Sequence, residues 1–180
     1  MPCAGAEGFL VMSIERAKFL KLPYTQILST IERHNAFPDD PIQYRGGWAI
    51  DVDEFYEQAG LGPKDMDLVQ LYDDYPVICF MQIEDLGFCD KGEASKFIKD
   101  KDLTTKGNFP LNTSGGQLSQ GQAGAGGGFL GVVETIRQLT GEVLGYQVDN
   151  VQNGLVSCFG MINYDRGLCT SAAILSKGDL

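Results

Sequence analysis

The feature that most constrains this chain is the stretch "PLNTSGGQLSQGQAGAGGGFLGVVETIRQL", Pro110–Leu139. Eight of the chain's 23 glycines fall between Gly115 and Gly131, running into Leu130, Val133, Ile136 and Leu139 at helical spacing. A linker does not end in an amphipathic helix. Glycine-rich sequence running into a helix start usually brings backbone close to something, often an anion or a thioester. A flexible surface loop has the same composition, so the rest of the chain has to decide.

The surrounding pattern is one of alternation. Strands are predicted over Gly8–Ile14, Thr25–Asn35, "DMDLVQLYDD" (Asp65–Asp74), Gly154–Ile162 and Thr170–Lys177. Helices are predicted over Glu15–Leu22, Val52–Leu61, Pro76–Phe88 with proline in the first turn, and Phe129–Leu139. A charged patch, "DKGEASKFIKDKDLTTKG", separates the third helix from the glycines. This order predicts one α/β domain over residues 1–180 with a largely buried mixed sheet.

Charge and cysteines narrow the function classes. The net charge of −10 argues against nucleic acid, which selects basic surfaces. The N-terminal "MPCAGAEGFLVMSIERAKFL" has Glu7 ahead of its apolar run and does not read as a signal peptide. No run reaches transmembrane length, so no membrane partner is expected. Cys3, Cys79, Cys89, Cys158 and Cys169 show no paired CxxC spacing, which predicts free thiols, no metal site and a cytoplasmic location. His34 is the only histidine, a sharp restriction on acid–base chemistry.

Three segments concentrate reactive groups. "LYDDYP" gathers Tyr72, Asp73, Asp74 and Tyr75 at a strand's C-terminal end, where open α/β sheets bind ligands. Asp74 also reads as a helix cap ahead of Pro76. Asn112 to Gly116 predicts a turn presenting backbone N–H groups, with Gln122 between Gly121 and Gly124. In "SCFGMINYDRGLC", Cys158 ends an apolar strand and meets Gly160; a buried structural thiol is the commoner reading.

Four ordered blocks carry a family resemblance. "CAGAEGFLVMS" resembles the "DGAAA" segment of the thiolase superfamily, and "LYDDYPVICFMQIEDLGFC" is similar to its "HDCF…EDLGLC" or "NEAF" block. "NTSGGQLSQGQAGAGG" resembles its "NxxGGxxxxGHPxGxxG" loop, and "SCFGM" its "CxGG" loop. The likeness is to the C-terminal half of that superfamily, in particular to sterol-carrier-protein-x and lipid-transfer-type thiolases and thiolase-like aldolases. It implies one half of the thiolase fold, an α-β-α layering on a mixed five-stranded sheet. The nucleophilic cysteine then belongs to an N-terminal half, on a separate chain or in a missing segment. A homo- or hetero-oligomer follows from the resemblance, with an OB-fold, zinc-ribbon protein as a further partner.

The resemblance also implies roles. Coenzyme A thioesters would be the substrates, with no covalently bound cofactor. Cys158 matches the second thiolase cysteine, which moves the acyl α-proton, and Tyr72 stands where thiolases carry Asn or His. Gln122 replaces the histidine that activates the nucleophile, and an amide takes no proton near pH 7. Asp73 joins these as a catalytic candidate, while Asn112, Ser114, Gly115, Gly116 and Gly160 are candidates for substrate binding. Thiolase-type acyl transfer is the leading expectation. Retro-aldol cleavage of a steroid-type side-chain acyl-CoA, a non-catalytic subunit binding CoA esters or lipids, and a structural subunit are the alternatives.

Overall fold

The computed structural model describes residues 2–163 and 166–179; Tyr164 and Asp165 of "SCFGMINYDRGLC" lie outside the described residues. The Ser13 hydroxyl accepts the Arg16 N–H at 3.2 Å and opens α1, Ile14–Leu20. Then come β1 (Thr25–His34), α2 (Trp48–Ala59), β2 (Leu68–Gln70), α3 (Pro76–Asp85) and α4 (Ala94–Lys99). The glycine-rich segment contributes α5 (Gly116–Gln120) and a 3₁₀ run, Gly124–Phe129, that leads into α6 (Leu130–Thr140). The chain closes with β3 (Asn153–Asn163) and β4 (Arg166–Lys177).

The strands form a mixed sheet in the order β1-β4-β3-β2. β4 runs antiparallel to β1 and to β3, whereas β2 runs parallel to β3. Alternation of apolar side chains along the strands serves two layers. Val69, Leu155, Phe159 and Ile174 pack with Trp48 and Phe55 of α2 and Ile78 and Met81 of α3. Leu68, Val156 and Leu175 pack on the opposite face with Leu139 of α6. Helices on both faces of the sheet give the α-β-α layering.

The described sheet has four strands, not five. Gly8–Ile14 is not a strand: Cys3 N–H donates to the Gln122 carbonyl at 3.0 Å, and the chain then runs without a ladder partner to Ser13. Leu10 and Val11 are 83% and 79% exposed. An apolar run becomes a strand only where another edge accepts its backbone groups, and no described edge does so here.

Two helices also differ from expectation. α2 starts four residues early, because Gly46 and Gly47 let the backbone pass tightly against Trp48, Arg33 and Thr170. The Trp48 indole N–H then bonds the Ser171 carbonyl at 3.0 Å, pinning the helix to β4. α4 forms inside the charged patch, where Phe97 meets Phe109 edge-on at 5.0 Å and supplies an apolar side.

Candidate active site

The site is assembled where β2 ends beside β3. Past β2, Tyr72 N–H donates to the Ser157 carbonyl at 3.1 Å, which carries the strand pairing two residues further. Asn112 then splices the glycine-rich segment onto this end. Its N–H bonds the Val69 carbonyl at 3.0 Å, its Oδ1 accepts Leu71 N–H at 2.8 Å, and its φ of +47° turns the chain. Asparagine tolerates that left-handed conformation better than most residues.

Asp73 holds the next turn. Its Oδ1 accepts the Gln117 N–H at 2.7 Å, at the start of α5. Gly116 has φ +63°, and a Cβ there would overlap the Asp73 carboxylate, so glycine is required. Asp73 is 7% exposed and is occupied as a backbone anchor rather than presented as a reacting group. The segment then brings Gln122 to the Tyr72 hydroxyl, and the Gly128 carbonyl to 3.5 Å from Cys158 Sγ. At Gly131, a Cβ would sit 3.0 Å from Gln70, so glycine lets α6 approach β2.

Between these elements lies a cavity of about 20 Å³, the room of roughly one water molecule. Tyr72, Asn112, Ser114, Gly116, Gly128 and Cys158 are among the residues lining it. Three more polar atoms belong to its walls: Ser114 Oγ, Gln117 Oε1 and Ser157 Oγ are buried without a hydrogen-bond partner. Each such orphan costs about 1–3 kcal/mol in a folded chain. All three belong to residues lining this one cavity, where a single water or other polar group would satisfy them.

Protonation in the cavity follows from burial. Burial pushes the Cys158 thiol up to about 11, with the nearby Cys169 adding to the shift. Tyr72 is pushed up to about 12, first by burial and then by Asp74, whose Oδ2 accepts the phenol O–H at 3.1 Å. The neighbouring Gln122 side chain opposes that shift. Both reactive groups therefore carry their protons at neutral pH. Cys79, whose thiol lies 3.5 Å from the Tyr72 carbonyl, is pushed up by burial to about 12.

The structure places the candidate residues as follows. Tyr72, Cys158, Asn112, Ser114 and Gly116 line the cavity, and Gln122 reaches it through the Tyr72 hydroxyl. Gly115 lies outside the lining and starts α5 with φ +95°. Gly160 does not join it either: a Cβ there would meet nothing within 4 Å. Asp74 is not the cap of α3, because Tyr75 occupies that position without a side-chain bond; Asp74 holds the Tyr72 phenol instead.

Sequence reasoning missed Gln117 and Ser157, whose orphaned atoms only the tertiary fold exposes. It also missed a buried polar chain behind the cavity. Gln70 Nε2 donates to Thr113 Oγ1 at 2.9 Å, Thr113 donates to Glu134 Oε1 at 2.7 Å, and Gln138 donates to the same oxygen at 2.9 Å. The spacing of Glu134 and Gln138, four apart on one helix face, was the available signal.

The chain belongs to the thiolase C-terminal domain-like family, whose profile matches residues 39–176. It is 32% identical over 95% of its length to a steroid side-chain-cleaving aldolase of Thermomonospora curvata, covering 43% of that protein. It is 30% identical over 82% of its length to the benzoylsuccinyl-CoA thiolase subunit BbsB of Thauera aromatica, covering 39% of it. A solved structure, an Ltp2-ChsH2(DUF35) aldolase, superposes with a TM-score of 0.72 at 29% identity, over 91% of this chain and 42% of that one. The chain thus spans about two-fifths of the relatives it matches. Both thiolases and carbon–carbon lyases occur among these relatives. Among the described residues, no helix is long and apolar enough to cross a membrane.

Proposed function

We propose that this chain supplies one wall of an active site that makes or breaks a C–C bond beside an acyl-CoA thioester carbonyl. A thiolase-type N-terminal half, on another chain or segment, forms the other wall. The supporting observation is the single cavity that Tyr72 and Cys158 share beneath the glycine-rich segment. Leu118 and Phe129 of that segment are 57% and 48% exposed, an apolar rim suited to a covering partner. A heteromeric assembly fits this rim, with a small OB-fold, zinc-ribbon subunit as a further member.

Aldol-type chemistry uses the groups present. A β-hydroxyacyl-CoA gives up its hydroxyl proton, the Cα–Cβ bond breaks, and a carbonyl product leaves. The bonding electrons pass to the thioester as an enolate, whose α-carbon then takes a proton. Tyr72 passes the hydroxyl proton towards Asp74, because a phenol pushed to about 12 does not stand as a free base. Cys158, protonated to about 11, donates to the α-carbon. One proton is taken up and one released, so the site returns to its starting state through solvent.

Thiolysis would need a base for the nucleophilic cysteine of the other half at the position of Gln122. Gln122 is an amide and takes no proton there, which favours the aldol branch. One relative is a steroid side-chain-cleaving aldolase, which selects a steroid-type acyl-CoA as the first substrate to test. The test combines this chain with the N-terminal half and supplies a β-hydroxyacyl-CoA without free CoA and, separately, the matching β-ketoacyl-CoA with free CoA. A ketone or aldehyde plus a shortened acyl-CoA, released without consuming CoA, is the expected outcome. Cleavage of the β-ketoacyl-CoA alone, with one CoA consumed per turnover, assigns thiolysis, and binding without turnover assigns a non-catalytic subunit.

A further inference from the structure

The face of the sheet that carries Cys158 continues beyond α6 into a second group of reactive side chains. Strand register sets Glu32, Ser171 and Cys158 in one row across β1, β4 and β3. His34, Cys169 and Gly160 form the next row. Residues opposed across a ladder point to the same face. Glu32, His34 and Cys169 therefore converge. His34 Nε2 lies 2.5 Å from Glu32 Oε1 and 3.8 Å from Cys169 Sγ, and the three donor atoms all lie within 4.8 Å of one another.

Two ordinary readings compete with a ligand site here. An exposed Glu–His pair accounts for two of the three groups but leaves the thiol unexplained. A Cys–His–acid relay would place acid and thiol on opposite ring nitrogens, so that one holds the ring while the other exchanges a proton. In this chain both partners approach the same nitrogen, Nε2. That arrangement is the one donors adopt around a shared cation.

We propose that Glu32, His34 and Cys169 form a binding site for a divalent cation of the zinc class, with solvent or a ligand completing the shell. One thiolate, one imidazole and one carboxylate suit zinc or cobalt rather than magnesium or calcium, which take oxygen. Tetrahedral zinc, with bonds of about 2.0–2.3 Å, holds its donors roughly 3.3–3.6 Å apart. The sulfur–nitrogen pair is already near that spacing. The Glu32–His34 pair must open, and both side chains are free to do so, being 64% and 49% exposed. Gly160, opposite Cys169, leaves open space where a Cβ would stand, room for a fourth ligand. Three protein ligands with an open position resemble a reactive zinc site more than a purely structural one.

Cobalt(II) titration of the 180-residue chain tests this without any substrate, so its outcome is independent of the reading of the cavity. The expected result is stoichiometric binding near pH 7.5 with visible d–d bands and a near-ultraviolet thiolate-to-cobalt band, both displaced by zinc. Cys169→Ser should remove the charge-transfer band, and Cys89→Ser should keep it. Glu32→Gln, on an exposed side chain that does not threaten folding, and His34→Ala should each weaken binding by about ten-fold or more. No thiolate band in the unmodified chain, or a band that survives in Cys169→Ser, overturns the proposal. Unchanged affinity in both Glu32→Gln and His34→Ala overturns it equally.

Discussion

The Tyr72 hydroxyl donates to Asp74 Oδ2 at 3.1 Å, two residues along the same turn. The phenol therefore carries its own proton acceptor. That makes it a conduit for a proton rather than a resting base. Tyr72→Phe and Asp74→Asn in the reconstituted enzyme should each lower kcat on the order of 10²-fold or more, as losing a proton-transfer group does. Thermal midpoints should stay close to that of the unmodified protein. Turnover within a few-fold of normal in Tyr72→Phe would remove the phenol from the mechanism.

Alkaline pH should destabilise the fold in a defined window. Cys158 and Cys79 move from an ordinary 9.0 to about 11 and about 12, and Tyr72 from 10.0 to about 12. The folded chain keeps these protons after the unfolded chain has released them. Their contribution is thus complete below about pH 9 and is lost as pH rises towards 11–12. Thermal midpoints measured from pH 8 to 11 should fall with pH, and Cys158→Ala with Cys79→Ala should make the decline shallower. Iodoacetamide should modify Cys158 faster than Cys79, in the order of their titration.

Gly116→Ala tests the turn that shapes the cavity. A Cβ at φ +63° is strained and also overlaps the Asp73 carboxylate that holds Gln117 N–H. The expected cost is about 1–3 kcal/mol by chemical denaturation. Asp73→Ala in the same chain should remove the overlap, so the double variant should lose less than the sum of the single variants. Strict additivity would show that the two residues do not act together.

Glu134→Ala should cost a similar amount, about 1–3 kcal/mol, by leaving the Thr113 hydroxyl and the Gln138 amide without their shared acceptor. Glu134→Gln keeps an acceptor oxygen and should recover most of that loss. Equal stability of the Ala and Gln variants would mean that the buried chain contributes no net stability.

How much of this was legible depends on where the signal resides. The spacing of Leu130, Val133, Ile136 and Leu139 fixed α6, and the apolar runs of β3 and β4 carried their own alternation. The glycines read as places where backbone approaches a thioester or anion; in the fold, Gly116 and Gly131 approach Asp73 and Gln70 instead, and a Cβ at Gly128 would meet nothing within 4 Å. "GFLVMSI" has a strand's composition but finds no ladder in the described chain, and composition does not report on edges. The patch holding α4 reads as a charge run, because only Ala94, Phe97 and Ile98 of the helix mark its buried side. The orphaned Ser114, Gln117 and Ser157 atoms were not legible at all, since a hydrogen bond that fails to form leaves no trace in sequence.

The central claim is that Cys158 delivers a proton to the α-carbon of an acyl-CoA in the cavity it shares with Tyr72. Running the reconstituted reaction in D₂O and reading the shortened acyl-CoA by mass spectrometry tests it most directly. One deuterium should enter the α-carbon per cleavage, and Cys158→Ala should slow product formation on the order of 10²-fold or more. Cleavage and deuterium incorporation at undiminished rates in Cys158→Ala would contradict the account.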